Sequence, residues 1–231
     1  QKMSKFIKLG PCEACGSKDN RAEYTNGFWC FGCSKYETKK DTKSLRERIN
    51  PISVNINSQV LNIVHEIPVT PLKWLLSYGI TQKEIKKYGI SWAPQEKILV
   101  LCMKKDYWQG RNFGYGNQKY KSNGNKPSLI YGKGKTLVLV EDILSAIKIS
   151  RTENYAALPL LGSSLSKDTE SKIIKRYKTI YVWLDRDKAK NSILIKNRLR
   201  SFDIISKTIL TTLDPKVYSK QNIINILEEK K

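Results

Sequence analysis

Acidic residues are scarce in this chain. Among its 231 residues, Asp and Glu number 21 against 42 Lys and Arg, a formal net charge of +21. It carries one histidine and two methionines. No stretch approaches the roughly 18 consecutive apolar residues of a membrane-spanning helix. The basic N-terminus also lacks the apolar core of a secretory signal. These absences argue for a cytoplasmic protein with no membrane partner. His65, the lone histidine, lies far from the cysteines and is read as a surface or core residue rather than a ligand.

The excess of positive charge favours a polyanionic partner. It is concentrated rather than spread. From Lys97 to Lys135 there are nine Lys/Arg and one acid, Asp106. Tyr107, Trp108, Phe113, Tyr115, Tyr120 and Tyr131 interleave with them, and glycines recur. Basic groups meet phosphates, aromatics stack on bases and glycines allow close backbone approach. Arg111, Lys119 and Lys121 are the candidate phosphate contacts. The plainer alternative is a twisted antiparallel sheet with solvated lysines and aromatics packed beneath.

Four of the five cysteines form two C-x-x-C pairs, Cys12/Cys15 and Cys30/Cys33, with fourteen residues between the pairs. In a reducing compartment this spacing predicts one tetrahedral four-thiolate Zn²⁺ site. Arg21–Thr25 and Phe28–Trp29 read as strands around an Asn26-Gly27 turn, which makes a zinc ribbon. A unit so small needs the metal to fold. Tyr24 and Trp29, with Arg21, Asn26 and Phe28, are also candidates for stacking on single-stranded nucleic acid. Both roles stay open. Cys102, in the apolar run Ile98–Met103, is read as a core thiol.

Residues 39–60 read as a flexible linker, with at most a short helix over Ser44–Ile49. Beyond it, Thr70-Pro71 starts a helix with Leu72, Leu75 and Leu76 on one face and Gly79 at its end. Thr81 caps a second helix that runs to Lys87 ahead of Gly89.

The last hundred residues alternate strand and helix, the signature of a mostly parallel sheet. Thr136–Val140 stops at Glu141 and Asp142. Ala156–Leu161 leads to Gly162-Ser163-Ser164, whose amides are a weak phosphate signal. Ile180–Leu184 stops at Asp185-Arg186-Asp187, and Ser206–Leu210 precedes Asp214. The intervening helices are expected over Ile143–Ile149, with Ile143, Leu144 and Ile147 on one face, then over Lys167–Tyr177, Lys188–Ser201 and Ser219–Glu229. Open α/β sheets place their sites at the carboxyl ends of parallel strands. The acids there have no neutralising partner nearby in sequence, which suggests Mg²⁺ or Mn²⁺. Helix capping by Asp142 and Asp187 is the structural alternative.

Taken together, C-x-x-C-G … F-W-C-F-G-C, the basic Gly/aromatic region, Glu141 and Asp185-x-Asp187 resemble a bacterial or phage-type (DnaG-like) DNA primase. The likeness is nearest to the primase portion of phage primase–helicases. Ser77-Tyr-Gly-Ile-Thr81, Gln109-Gly-Arg111 and Ile130-Tyr-Gly132 add to it. The resemblance implies a zinc ribbon over 1–38 and the linker 39–60. A basic subdomain of the polymerase core would cover 61–134 and a TOPRIM α/β module 135–231. It implies Cys12, Cys15, Cys30 and Cys33 as zinc ligands. Asp185, Asp187 and Asp214 would hold Mg²⁺ or Mn²⁺, with Glu141 completing that shell or taking the hydroxyl proton. Arg111 and Lys119 would lie near the nucleotide. Where the family continues its first acid as Glu-x-Glu-x-Asp or Glu-Gly-x-x-Asp, this chain has Asp142, Ile143, Leu144 and Ser145.

The implied activity is template-directed synthesis of RNA primers on single-stranded DNA from ribonucleoside triphosphates. A replicative helicase and a DNA polymerase would be separate partners. A TOPRIM-type nuclease using the same acids, and a non-catalytic nucleic-acid adaptor, are the competing readings.

Overall fold

The computed structural model describes residues 6–38, 61–116 and 118–230. The linker expected over 39–60, with its short helix, lies outside the described residues. The chain divides into two compact units, Gln1–Asn55 and Ile56–Lys231. No helix among the described residues is long and apolar enough to cross a membrane.

The N-terminal unit is a four-stranded antiparallel sheet in sequence order: β1 (Phe6–Gly10), β2 (Arg21–Tyr24), β3 (Gly27–Cys30) and β4 (Tyr36–Thr38). The sequence puts Gly27 in the turn, but the fold puts it in β3. The reason is steric. A Cβ at Gly27 would stand 2.6 Å from the Glu37 carbonyl oxygen on β4. Its buried apolar side chains among the described residues are only Cys12, Ala22 and Cys30. Such a core is too small to fold without help.

The second unit begins with two short helices, α1 (Val69–Ser77) and α2 (Gln82–Tyr88). Thr81 and Glu84 form a reciprocal capping box at the start of α2, and Gly89 closes it in the left-handed region. Leu75 is buried, but Leu76, expected beside it, is exposed. Gly79, at φ +68°, folds the chain back so that the Ile80 amide donates to the Leu75 carbonyl. Ile80, not Leu76, is then the buried residue.

Two sheets follow. The first is antiparallel: β5 (Ser91–Ala93), β6 (Ile98–Lys104), β7 (Tyr107–Asn112) and β8 (Tyr120–Gly124), in that order. Cys102 is buried within β6, as expected. The second is parallel throughout: β9 (Thr136–Val140), β10 (Tyr155–Pro159), β11 (Thr179–Val182) and β12 (Ile205–Thr208), in spatial order β10-β9-β11-β12. Helices α3 (Ile143–Ser150), α4 (Lys167–Ile174), α5 (Ala189–Arg200) and α6 (Lys220–Glu228) alternate with its strands.

Both faces of the parallel sheet are buried, which explains the unbroken apolar runs. Val138 and Val140 of β9 join a core with Leu75, Leu101, Ile147 and Ile223. Leu137 and Leu139 face the other way, with Ile173, Ile195 and Leu199 of α4 and α5. In α3 every residue from Ile143 to Ile149 is buried, where the sequence suggested a single apolar face. The extra burial includes Lys148, whose ammonium donates to the Tyr78 carbonyl. Arg151, just past α3, is paired with Glu84 of α2. The helical pair is thereby fastened to the sheet.

Trp183, just past β11, is fully buried. Its backbone amide donates to the Leu139 carbonyl, and its Nε1 donates to Thr211 Oγ1 at 2.8 Å. Thr211 in turn donates to the Leu213 carbonyl. One indole thus spans the loops that lead to Asp185 and to Asp214. Trp183→Phe keeps most of the packing and removes this bond. It is expected to lower stability by about 1–3 kcal/mol, read as a lower urea midpoint. An unchanged midpoint would show that the tether contributes nothing.

Candidate functional site

In the N-terminal unit the four predicted thiolates converge. The Sγ atoms of Cys12, Cys15, Cys30 and Cys33 all lie within 4.8 Å of one another. Cys12 to Cys33 is 3.8 Å and Cys15 to Cys30 is 3.6 Å. A tetrahedron with Zn–S bonds of about 2.3 Å has edges of about 3.8 Å, so the set fits Zn²⁺. Backbone amides favour the thiolate form at Cys15 and Cys30, while the neighbouring thiols and burial push Cys33 up to about 11. The Cys33 N–H beside Cys30 brings that thiol down to about 6. The Ser17 N–H lowers Cys15.

The aromatic candidates of this sheet are partly engaged with each other. Tyr24 meets Phe6 edge-on, and Trp29 lies against Tyr36. Arg21 stacks over Phe28 at 4.0 Å and is ion-paired with Glu37. The more exposed aromatics are Phe31, Phe6 and Tyr36, none of which the sequence reading singled out. An apolar residue inside a C-x-x-C turn that cannot be buried was the available signal for Phe31.

In the larger unit the acids gather at the carboxyl edge of the parallel sheet. Glu141 follows β9, and Asp185 follows the adjacent β11. Glu141 Oε2 and Asp185 Oδ1 are both buried and find no hydrogen-bond partner among the described residues. Burial pushes the Asp185 carboxyl up to about 7. Glu141 and Asp214 reinforce the shift, and Lys216 opposes it. Burial likewise raises Glu141, against the pull of Lys188. Two buried carboxylate oxygens without donors fit a hard divalent cation. The carboxylates do not form a tight preassembled cage, because among the described residues only the cysteines place three or more donors within 4.8 Å.

The other acids are arranged differently. Asp142 caps α3: its Oδ1 accepts from the Ser145 amide and its Oδ2 from the Ser145 hydroxyl. Asp187 does not cap. It lies in the 3-10 turn Arg186–Lys188 with a side chain 68% exposed, and it is paired with Lys188, whose hydrogen bond lowers it. Asp214 starts the 3-10 turn Pro215–Val217 and accepts a bond from Lys216. The acids, which seemed unneutralised in sequence, therefore have Lys188 and Lys216 among them. Neither lysine was anticipated. Lys188 directly follows Asp187, so sequence adjacency was the missed signal. Lys216 reaches Asp142 from far along the chain.

The basic sheet borders this edge. Arg111 of β7 stacks on Trp74 and on Tyr120 of β8. Burial raises the Tyr120 hydroxyl, and its surroundings include Asp142, Lys216 and Arg111. Lys121 alternates with Tyr120 along β8 and is half-buried, whereas Lys119 is exposed in the turn before it. Lys126, also unanticipated, donates to the Leu161 carbonyl at the Gly162 loop. That loop returns to the acids, for the Gly162 amide donates to the Glu141 carbonyl. His65 is exposed and lies outside the site.

No protein-family model matches the chain, and no curated protein matches it. Solved structures do. The primase fragment of the bacteriophage T7 primase-helicase protein is similar over 97% of this chain and 99% of its own, at 15% identity and a TM-score of 0.50. A DnaG primase catalytic domain bound to ssDNA matches over 70% of this chain and 71% of its own, at 13% identity and a TM-score of 0.56. The E. coli primase catalytic core matches over 69% and 72%, at 12% identity and a TM-score of 0.51. The chain therefore has the fold of DnaG-like primases, a small four-cysteine sheet together with an α/β core.

Two measurements bear on the site. Cys30→Ser should release zinc, seen by metal analysis of the purified protein. Retention of one zinc per chain would exclude Cys30 from the ligand set. The second concerns pH. Asp185 holds its proton in the fold to about 7, against 3.8 for the ordinary group. The native state then binds the extra proton across that window, so metal-free stability falls as pH rises from 3.8 to about 7. A divalent ion on Asp185 must displace that proton. Mn²⁺ affinity should be roughly tenfold weaker at about pH 6 than at about pH 7.5, measured by calorimetry. Affinity independent of pH would separate the ion from Asp185.

Proposed function

We propose that this protein is a DNA primase, which makes short RNA primers on single-stranded DNA by metal-dependent nucleotidyl transfer. The observation that carries the reading is the pair of donor-free oxygens on Glu141 and Asp185. They end adjacent parallel strands, in a fold shared with primase cores, and the neighbouring Asp142 lies within electrostatic reach of Tyr120, on which Arg111 stacks.

Bound Mg²⁺ or Mn²⁺ would lower the pKa of the attacking 3′-hydroxyl and neutralise charge on the transferring and leaving oxygens. Glu141 and Asp185 are its principal holders, with Asp214 and Asp187 flanking them. Burial raises both carboxyls, so a cation would favour their ionised forms and displace the proton on Asp185. In the alternative role, Glu141 would accept the hydroxyl proton in place of holding the ion. Arg111, fixed by its two rings, orients an incoming triphosphate, and Lys119, in the turn before β8, and Lys121, on β8, add backbone contacts.

In the zinc-bound unit, Tyr24 and Trp29, joined by the exposed Phe31 and Tyr36, offer stacking surfaces for template bases. Ribonucleoside triphosphates and a single-stranded DNA template are the substrates of this reading. A replicative helicase and a DNA polymerase are the expected partners, in the cytoplasm.

The test is to incubate zinc-loaded protein with single-stranded template, labelled ribonucleoside triphosphates and Mg²⁺ or Mn²⁺. Short RNA products are expected. Asp185→Asn should reduce them at least about a hundredfold with a metal-free melting transition no lower than that of wild type. Shortened template in place of RNA would mean a nuclease. Binding with neither product would mean an adaptor.

A further inference from the structure

A lysine stands inside the acidic edge. Lys216 belongs to the turn that follows Asp214, and its side chain is only 13% exposed. Its Nζ donates to Asp214 Oδ2 at 2.7 Å and to Asp142 Oδ2 at 3.0 Å. Asp142 is otherwise committed to Ser145, through the amide at 3.0 Å and the hydroxyl at 2.9 Å. Ser145 is itself fully buried, whereas the Asp142 and Asp214 side chains are 19% and 32% exposed, so the network is partly shielded from water. Both oxygens of Asp142 are therefore occupied, and one oxygen of Asp214 is taken.

The contrast with the neighbouring pair is sharp. Glu141 and Asp185 each keep one buried oxygen with no partner among the described residues. The edge is thus divided. One half, Asp142 and Asp214, already has its cation, covalently part of the chain. The other half, Glu141 and Asp185, has acceptors and no donor. A buried ammonium held by two carboxylates is costly to dislodge, since its removal would leave both partners uncompensated.

We propose that Lys216 takes the place of a second divalent cation, so that this site binds a single Mg²⁺ or Mn²⁺, on Glu141 and Asp185. The inference rests on the nucleotidyl-transfer reading above and deepens it, because it assigns the number of ions and the residue that fixes it. Lys216 permanently offsets one of the two negative charges on Asp142 and Asp214 and bonds to both. It also holds the turn against the start of α3 whether or not metal is present. Lys→Arg keeps this charge, whereas Lys→Met or Lys→Gln frees both carboxylates for an ion.

The experiment is a Mn²⁺ titration of the full, zinc-loaded chain without nucleotide, followed by the electron paramagnetic resonance signal of free Mn²⁺. Wild type should bind one ion, and Asp185→Asn should lose it. Lys216→Met should bind two, the first about tenfold tighter than in wild type, while Lys216→Arg should still bind one. Circular dichroism melts establish that each variant is folded, and Lys216→Gln replaces Lys216→Met if the latter is not. Two ions on wild type would overturn the proposal. So would a single ion at unchanged affinity on the neutral variant. The failures are distinguishable. Mn²⁺ binding that survives Asp185→Asn, or is absent from wild type, sinks the metal-dependent reading as well. One ion on both wild type and the neutral variant sinks only the role of Lys216.

Discussion

The larger unit depends on burial of its parallel sheet on both faces. Val138 and Val140 point into one core, and Leu137 and Leu139 into another. The charged side chains buried on the covering helices, Lys148 and Glu170, are each bonded, to the Tyr78 carbonyl and to Arg198. Polar chemistry is left to the ends of the strands, and at the carboxyl ends the chain turns over Glu141, Asp185 and Asp214. The same constraint makes the acids partly buried, because the helices that cover the sheet also wall its edge. Desolvation then accounts for the elevated Asp185 and Glu141 carboxyls before any neighbouring charge is considered.

That edge is a competition between anions and lysines rather than a bare acidic cluster. Lys188 holds Asp187 outward, and Lys216 holds Asp142 and Asp214 together. Among the described residues of this edge, only Glu141 and Asp185 keep buried oxygens with no hydrogen-bond partner. A protein with so many lysines could have quenched all its acids, yet it leaves two unsatisfied in the place where the fold puts its chemistry.

Much of this was legible from residues. Apolar runs such as Thr136–Val140 announce strands buried on two sides, and Thr81 with Glu84 announces a helix start. The thiolate cluster follows from spacing alone, because two-residue loops leave the paired sulfurs little freedom. The misses have physical causes. In a continuing strand Asp185 and Asp187 would share a face, but β11 ends at Val182 and the 3-10 turn carries Asp187 to the surface. The meeting of Lys216 with Asp142 needs β12 to lie beside β11 and the following turn to fold back on α3. No local pattern encodes that. Gly27 was placed in a turn because Asn-Gly favours one, while the close approach of β4 decided its position.

The indole of Trp183 has a further consequence. By bonding to Thr211 it joins the exit of one strand to the exit of the next, so the spacing of two acid-bearing loops is inherited from the sheet beneath them. Loops ordinarily loosen well below the temperature at which a core melts. Here the two would part only when the sheet itself gives way, and the site would work without a separate softening step until the whole unit unfolds.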